Sequence, residues 1–263
     1  MRLHAPEFSP EYVKKARAFL VRYIKTVMNE KGFSKIVIGL SGGMDSSLGA
    51  YLAVEALGKE NVLGILMPYK KSNPESLECG KLVCEELDIK NIIIDITPMI
   101  DAYFQSFPDA SLLRKGNKMA RERMSILFDQ SNIHGSLVMG TSNKSEYLLG
   151  YGTIHGDLAS AFNPLGAIYK TEVWMMGELI GVPKNIIDKE PSADLWVGQT
   201  DEDELGIDYP TADRILYYLI DKKADVETIL SLGVPNNVAR KIMRLIEKSE
   251  FKRHLPDIPT LSR

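Results

Sequence analysis

Residues 35–57 read KIVIGLSGGMDSSLGAYLAVEAL, and the rest of the chain is best interpreted from this stretch. Its first six residues form a short apolar run suited to a strand buried on both faces. Two glycines follow, and from Met44 to Leu57 the pattern is helical. A strand, a glycine turn and a helix in register bring backbone N–H groups and the positive end of a helix dipole to one point, which is an anion site. The turn is not a Walker A loop, G-x-x-x-x-G-K-[ST], whose lysine reaches the β- and γ-phosphates. Gly39-Leu40-Ser41-Gly42-Gly43-Met44-Asp45-Ser46 carries serines and an aspartate instead. An aspartate would repel a bare phosphate but suits Mg²⁺, which is commonly held by one or two carboxylates together with substrate phosphates. The loop therefore reads as a grip on pyrophosphate as a leaving group, with attack on the α-phosphorus of ATP. Ser41, Ser46 and Ser47 would add hydroxyl donors. A plain Gly-Gly connection is the structural alternative, and the register S-G-G-x-D-S between strand and helix argues against it.

Working outward, Ser9-Pro10 predicts a helix start, and apolar Tyr12, Val13, Ala16, Leu20, Tyr23, Ile24 and Val27 recur at helical spacing up to Gly32. Further short apolar runs predict strands: NVLGILM from Asn61, NIIIDI from Asn91 and SLVMG from Ser136. Helical patterns at Pro74 to Leu87 and Lys118 to Gln130 separate them. The alternation predicts an α/β fold, a doubly wound parallel sheet covered on both faces, with ligands at the carboxyl ends of the strands. The first and fourth strands end in SGGMDSS and GTSNKSE, which would open on the same edge. Helices are expected at Lys170 to Gly181, Pro210 to Asp221 and Asn236 to Glu250, forming a helical C-terminal extension. The polar segment from Glu190, EPSADLWVGQTDEDELGIDYPTAD, reads as a long functional loop. With no repeat, low-complexity tract or linker, residues 1–263 read as a single domain.

The composition excludes several classes. Hydrophobic residues make up 44% of the 263, enough for a substantial core, and 32 basic against 35 acidic residues give a net charge of -3. That balance offers no case for a nucleic-acid or anionic-membrane surface. Neither a signal peptide nor a membrane span is apparent, so a cytoplasmic location is expected. The two cysteines, Cys79 and Cys84, fit neither a disulfide framework nor a zinc site and read as ordinary thiols.

The loop resembles the pyrophosphate loop of the ATP-pyrophosphatase superfamily, with its adenine nucleotide alpha hydrolase-like fold, whose members activate a carboxylate or carbonyl as its adenylate. Five further stretches narrow the resemblance: GNKMARERMSILFD from Gly116, GTSNKSEYLLGYGTIHGD from Gly140, FNPLGAIYKTEVWMMGELIGVP from Phe162, EPSADLWVGQTDEDELGIDY from Glu190 and FKRHLP from Phe251. Over roughly residues 9 to 258 the chain is similar to ammonia-dependent NAD synthetases. The resemblance implies adenylation of the nicotinate carboxylate of deamido-NAD with ATP and Mg²⁺, then displacement of AMP by ammonia, in a homodimer. It implies Thr141, Lys170 and Ser192 as ATP contacts beside the loop residues, Asp45 and Glu146 as Mg²⁺ ligands, and Arg121 and Lys252 as deamido-NAD contacts. Arg123, two residues from Arg121, would face another side of the same helix. Asp157 matches the family's ammonium-binding aspartate, although a turn cap after Gly156 is the plainer reading. Two family contacts do not carry over, because Ile154 stands in place of a lysine and Ala161 in place of an aspartate.

Two other functions share the loop's chemistry. A tRNA-modifying sulfur or amine transferase would be expected to add an RNA-binding module and reactive cysteines. A non-catalytic ATP-binding protein would not need Asp45, Glu146 and Lys170 together. A glutamine-using synthetase would need an amidase domain, for which no room is evident ahead of Ser9.

Overall fold

The computed structural model describes residues 8–196 and 198–261. Helix α1 (Pro10–Lys31) starts as its sequence predicts: Ser9 accepts the Tyr12 N–H at 3.2 Å, and Gly32 ends the helix at φ 71°, where a side chain would be strained. Four short strands follow, β1 (Ile36–Gly39), β2 (Val62–Leu66), β3 (Lys90–Ile93) and β4 (Leu137–Met139), all parallel and ordered β3-β2-β1-β4. Ile36, Val37 and Ile38 of the central strand are fully buried, which accounts for the unbroken apolar run. Ile36 and Ile38 join one core and Val37 the other, as the two-residue period of a strand demands.

Helices cover both faces, as a doubly wound sheet requires. Helices α1, α2 (Met44–Leu57) and α3 (Pro74–Glu86) pack into the larger core, and α4 (Thr97–Phe104) with α5 (Leu112–Ile133) into the smaller. The chain steps from β1 outward to β3 and then crosses back to place β4 on the other side of β1. Strand order reverses between β1 and β4, and the crevice beyond their carboxyl ends is where ligands of such sheets bind. A parallel bridge between Met139 and Phe162 extends β4.

After β4 the chain is mostly helical: α6 (Lys144–Leu149), α7 (Lys170–Ile180), α8 (Lys184–Ile187), α9 (Asp201–Leu205), α10 (Tyr209–Leu216) continuing as a π-helical turn (Tyr217–Asp221), α11 (Val226–Ser231) and α12 (Asn236–Lys248). Buried Asp213 on α10 ties this extension to the core. It accepts from Ser145 Oγ on α6 and, at 2.8 Å each, from the N–H and hydroxyl of Thr171 on α7.

The departures from the sequence reading have local causes. Helix α5 begins six residues before Lys118, because Ser111 caps it by accepting the Arg114 N–H at 3.3 Å while polar 114–118 hides the apolar period. The segment from Glu190 is not wholly a loop. Thr200 accepts the Asp203 N–H at 3.2 Å, and acidic residues 201–204 suit the positive start of α9. Among the described residues no helix is long and apolar enough to cross a membrane.

Candidate active site

The loop after β1 folds on itself. Ser46 Oγ accepts the Ser41 N–H at 3.2 Å and donates to the Gly43 carbonyl at 3.1 Å, while Ser41 Oγ accepts the Gly43 N–H at 3.3 Å. Gly42 sits at φ 74° behind the loop, where a Cβ would run into the Ser76 carbonyl of α3. No side chain caps α2, so its first N–H groups have no side-chain partner at the loop. Ser47 does not join them: it is fully buried, with Oγ donating to the Gly43 carbonyl at 2.8 Å. Gly39, Leu40, Ser41, Gly43, Met44, Asp45 and Ser46 line a cleft of about 1490 Å³, and Gly42 shapes the loop from behind.

Asp45, Glu146 and Lys170 meet at this cleft, from α2, α6 and α7. Asp45 Oδ1 accepts from Asn143 Nδ2 at 2.8 Å, and its Oδ2 pairs with the Lys170 ammonium. Asn143 also accepts the Glu146 N–H at 3.0 Å while Glu146 Oε2 accepts the Asn143 N–H at 3.0 Å, a capping box at the start of α6. One asparagine thus holds both carboxylates in place. Burial, then Asp45, push the Glu146 carboxyl well above its ordinary pKa. Burial opposes the charge on Lys170, 3% exposed, yet Asp45, Glu146 and Asp201 outweigh it and raise its pKa. Crowding the Glu146 carboxyl against Asp45 in a buried place disfavours its ionised form, and a divalent cation between the two would reverse that. Among the described residues no three His, Cys, Asp or Glu side chains form a metal cage. Two carboxylates nonetheless suffice for Mg²⁺ that takes its other ligands from phosphate and water.

Thr141, Asp157, Ser192 and Lys252 also line the cleft. Asp157 Oδ1 accepts the Thr153 N–H at 2.9 Å, so it does close a turn, and poor solvation raises its pKa. Lys252 Nζ donates to the carbonyls of Gly150 and Gly152 at 2.8 and 2.9 Å. Arg121 lies elsewhere: it is exposed, outside the cleft lining, with Nε donating to the Ile154 carbonyl at 3.1 Å. Arg123 lines the cleft instead. Residues 188–196 also line the cleft, and there Asp194 accepts the Asn73 N–H at 3.0 Å and Lys189 Nζ meets Ser76 Oγ at 2.8 Å. Sequence reasoning did not single out Asn143 or Asp201, and it set Arg123 aside as facing another side of the helix from Arg121, although all three lie in the quoted stretches.

Comparisons with known proteins agree with this geometry. A family model described as NAD synthase matches residues 16–256. The chain is 51% identical over 249 residues to the NH(3)-dependent NAD(+) synthetase of Trichlorobacter lovleyi, covering 95% of this chain and 91% of that one. It is 51% identical to the enzyme of the same name from Fusobacterium nucleatum, covering 95% and 97%. Among solved structures, the NMN synthetase of Francisella tularensis superposes with TM-score 0.84 at 33% identity, covering 96% of this chain and 99% of that one. The NH3-dependent NAD synthetase of Campylobacter jejuni gives 0.81 at 35%, covering 94% and 99%. With the loop, the two carboxylates and the lysine assembled at the switch point of the sheet, and with relatives matched over nearly their whole length, the chain belongs to the NAD synthase family.

Proposed function

We propose that this protein amidates deamido-NAD with ammonia, using ATP and giving NAD, AMP and pyrophosphate through an adenylated nicotinate carboxylate. The observation that carries the reading is the open start of α2, without a Walker lysine, facing Asp45, Glu146 and Lys170 in one cleft. The loop N–H groups, Ser41 and Ser46 hold the triphosphate, with Thr141 and Ser192 on the nucleoside. Bound at Asp45 and Glu146, Mg²⁺ would neutralise the pyrophosphate leaving group. Lys170, held charged by its neighbours, offsets the charge that develops on the α-phosphorus. Asp157 holds ammonium and accepts its proton, so that a lone pair is free to attack the acyl carbon. Carbonyls 150, 152 and 154 anchor Lys252 and Arg121 along one loop, and the far end of the dinucleotide runs beside these two cations.

A related acid is a second reading. Ile154 and Ala161 lack the charges of a dinucleotide contact, and one structural relative is an NMN synthetase. Nicotinate mononucleotide would then be amidated by the same chemistry. We also propose a homodimer, because Tyr103, Phe107, Leu112, Phe128 and Ile133 of α4, α5 and the turn between them are all exposed.

The deciding experiment incubates the chain with ATP, Mg²⁺, ammonium and either acid. The expected products are AMP and pyrophosphate in step with the amide, made faster from deamido-NAD. Finding ADP and phosphate, or no amide from either acid, would overturn the reading.

A further inference from the structure

Among the described residues Arg123 is the one arginine in the cleft lining, and its placement follows from the phase of α5. Ala120, Arg123, Met124 and Leu127 line the cleft at spacings of three, four and seven, which is one stripe of a helix. Arg121 is two residues away, about 200° around the axis, and so reaches the outer surface instead. Arg123 Nε donates to the Met67 carbonyl, just past the end of β2, at 3.1 Å. That bond orients the guanidinium plane. Its terminal NH₂ groups have no hydrogen-bond partner among the described residues, although Asp157 and Asp194 lie near enough to influence its charge. Lys170 comes from α7, which packs in the core on one face of the sheet, and Arg123 from α5, on the other. The two cations therefore face the crevice from opposite walls.

We propose that the guanidinium of Arg123 binds an oxyanion of the reacting groups, as a cationic wall opposite Lys170. A planar fork with two free donors matches a carboxylate or a phosphate bidentately, which an ammonium does not. Two sources of that oxyanion enter the cleft: the α-phosphate of the nucleotide and the carboxylate of the acid. Either would sit between Met67 and Asp157, with the proposed ammonium site at hand. The inference rests on the proposed function for the identity of these ligands.

The test replaces Arg123 in the full chain by Met, which fills the space without donors, and by Ala and Lys. Binding of α,β-methylene-ATP with Mg²⁺ and of deamido-NAD is measured separately by calorimetry, with NAD synthesis and the urea unfolding midpoint alongside. Arg123→Met is expected to weaken one of the two ligands at least about tenfold, as loss of a charged hydrogen bond does. The ligand affected identifies the source of the oxyanion. Added guanidinium ion at tens of millimolar should restore part of the activity lost in Arg123→Ala, while Arg123→Lys should recover less than half of the lost affinity. Unchanged affinity for both ligands overturns the inference. So does a fall in both ligands together with the unfolding midpoint and no guanidinium rescue, since Arg123 would then only prop the Met67 turn. A wild-type chain that makes no NAD defeats the proposed function instead, and the two binding measurements still decide the role of Arg123.

Discussion

Asp157 Oδ1 accepts the Thr153 N–H, so one oxygen of this carboxylate has a structural task. The proposed task belongs to the carboxylate as a charge. At neutral pH the nitrogen donor is mostly ammonium, with no lone pair, and an anion must hold it and take its proton. Asparagine keeps the oxygen that closes the turn and loses the base. Asp157→Asn is therefore expected to leave ATP–pyrophosphate exchange in the presence of deamido-NAD nearly intact. NAD formation from ammonium should fall by about 10²–10⁴-fold, recovering in part at high pH where free ammonia is present. Parallel losses in exchange and synthesis, or no loss in either, would remove Asp157 from the ammonia step.

Beside the apolar packing of α10 on α6 and α7, one buried carboxylate, Asp213, hydrogen-bonds to both helices. Burial outweighs its three hydrogen bonds and raises its pKa from 3.8 to about 6. The sign follows from proton counts. Between these two values the folded chain binds more protons than the unfolded one, so this group's contribution is full below pH 3.8 and is lost as pH rises through about 6. Glu172, raised by burial from 4.5 to about 7, adds a slope of the same sign. Asp213→Asn cannot titrate. Urea unfolding of the variant should show a stability slope between pH 4 and 6 that is shallower by up to ~1.4 kcal/mol per pH unit. An unchanged slope would mean that Asp213 is ionised throughout that range.

For the whole molecule, several large apolar side chains of α4, α5 and the edge strand β3 are exposed. Phe128 is 44% and Ile133 65% exposed, and Ile93 of β3 is 48% exposed. Sedimentation velocity is expected to give about twice the 29.4 kDa chain mass. Phe128→Glu should shift the species toward the monomer with the fold intact, because the side chain packs against no core. A wild-type chain sedimenting as a monomer at micromolar concentration would rule the dimer out. Both cysteines lie on the buried face of α3, with thiol pKa values raised by burial.

The sequence by itself determined the elements with a strong local cause. Ser9-Pro10 and Gly32 bound a helix through capping and φ preference, and the apolar run before Gly39 read as a strand buried on both faces. Asp45 in the loop and the absence of a lysine there carried the reaction class, because those are chemical facts about single residues. It also marked Glu146 and Lys170, which line the cleft. What the sequence left open depended on direction and distance. Arg121 and Arg123 are equal as letters, and only the rotation of α5 against the sheet sends one outward and the other into the cleft. Asn143 looks like any polar residue until α2 and α6 bring Asp45 and Glu146 to it. A carboxylate's pKa, likewise, is set by its neighbours in space, and those are chosen by the packing of helices distant in the chain.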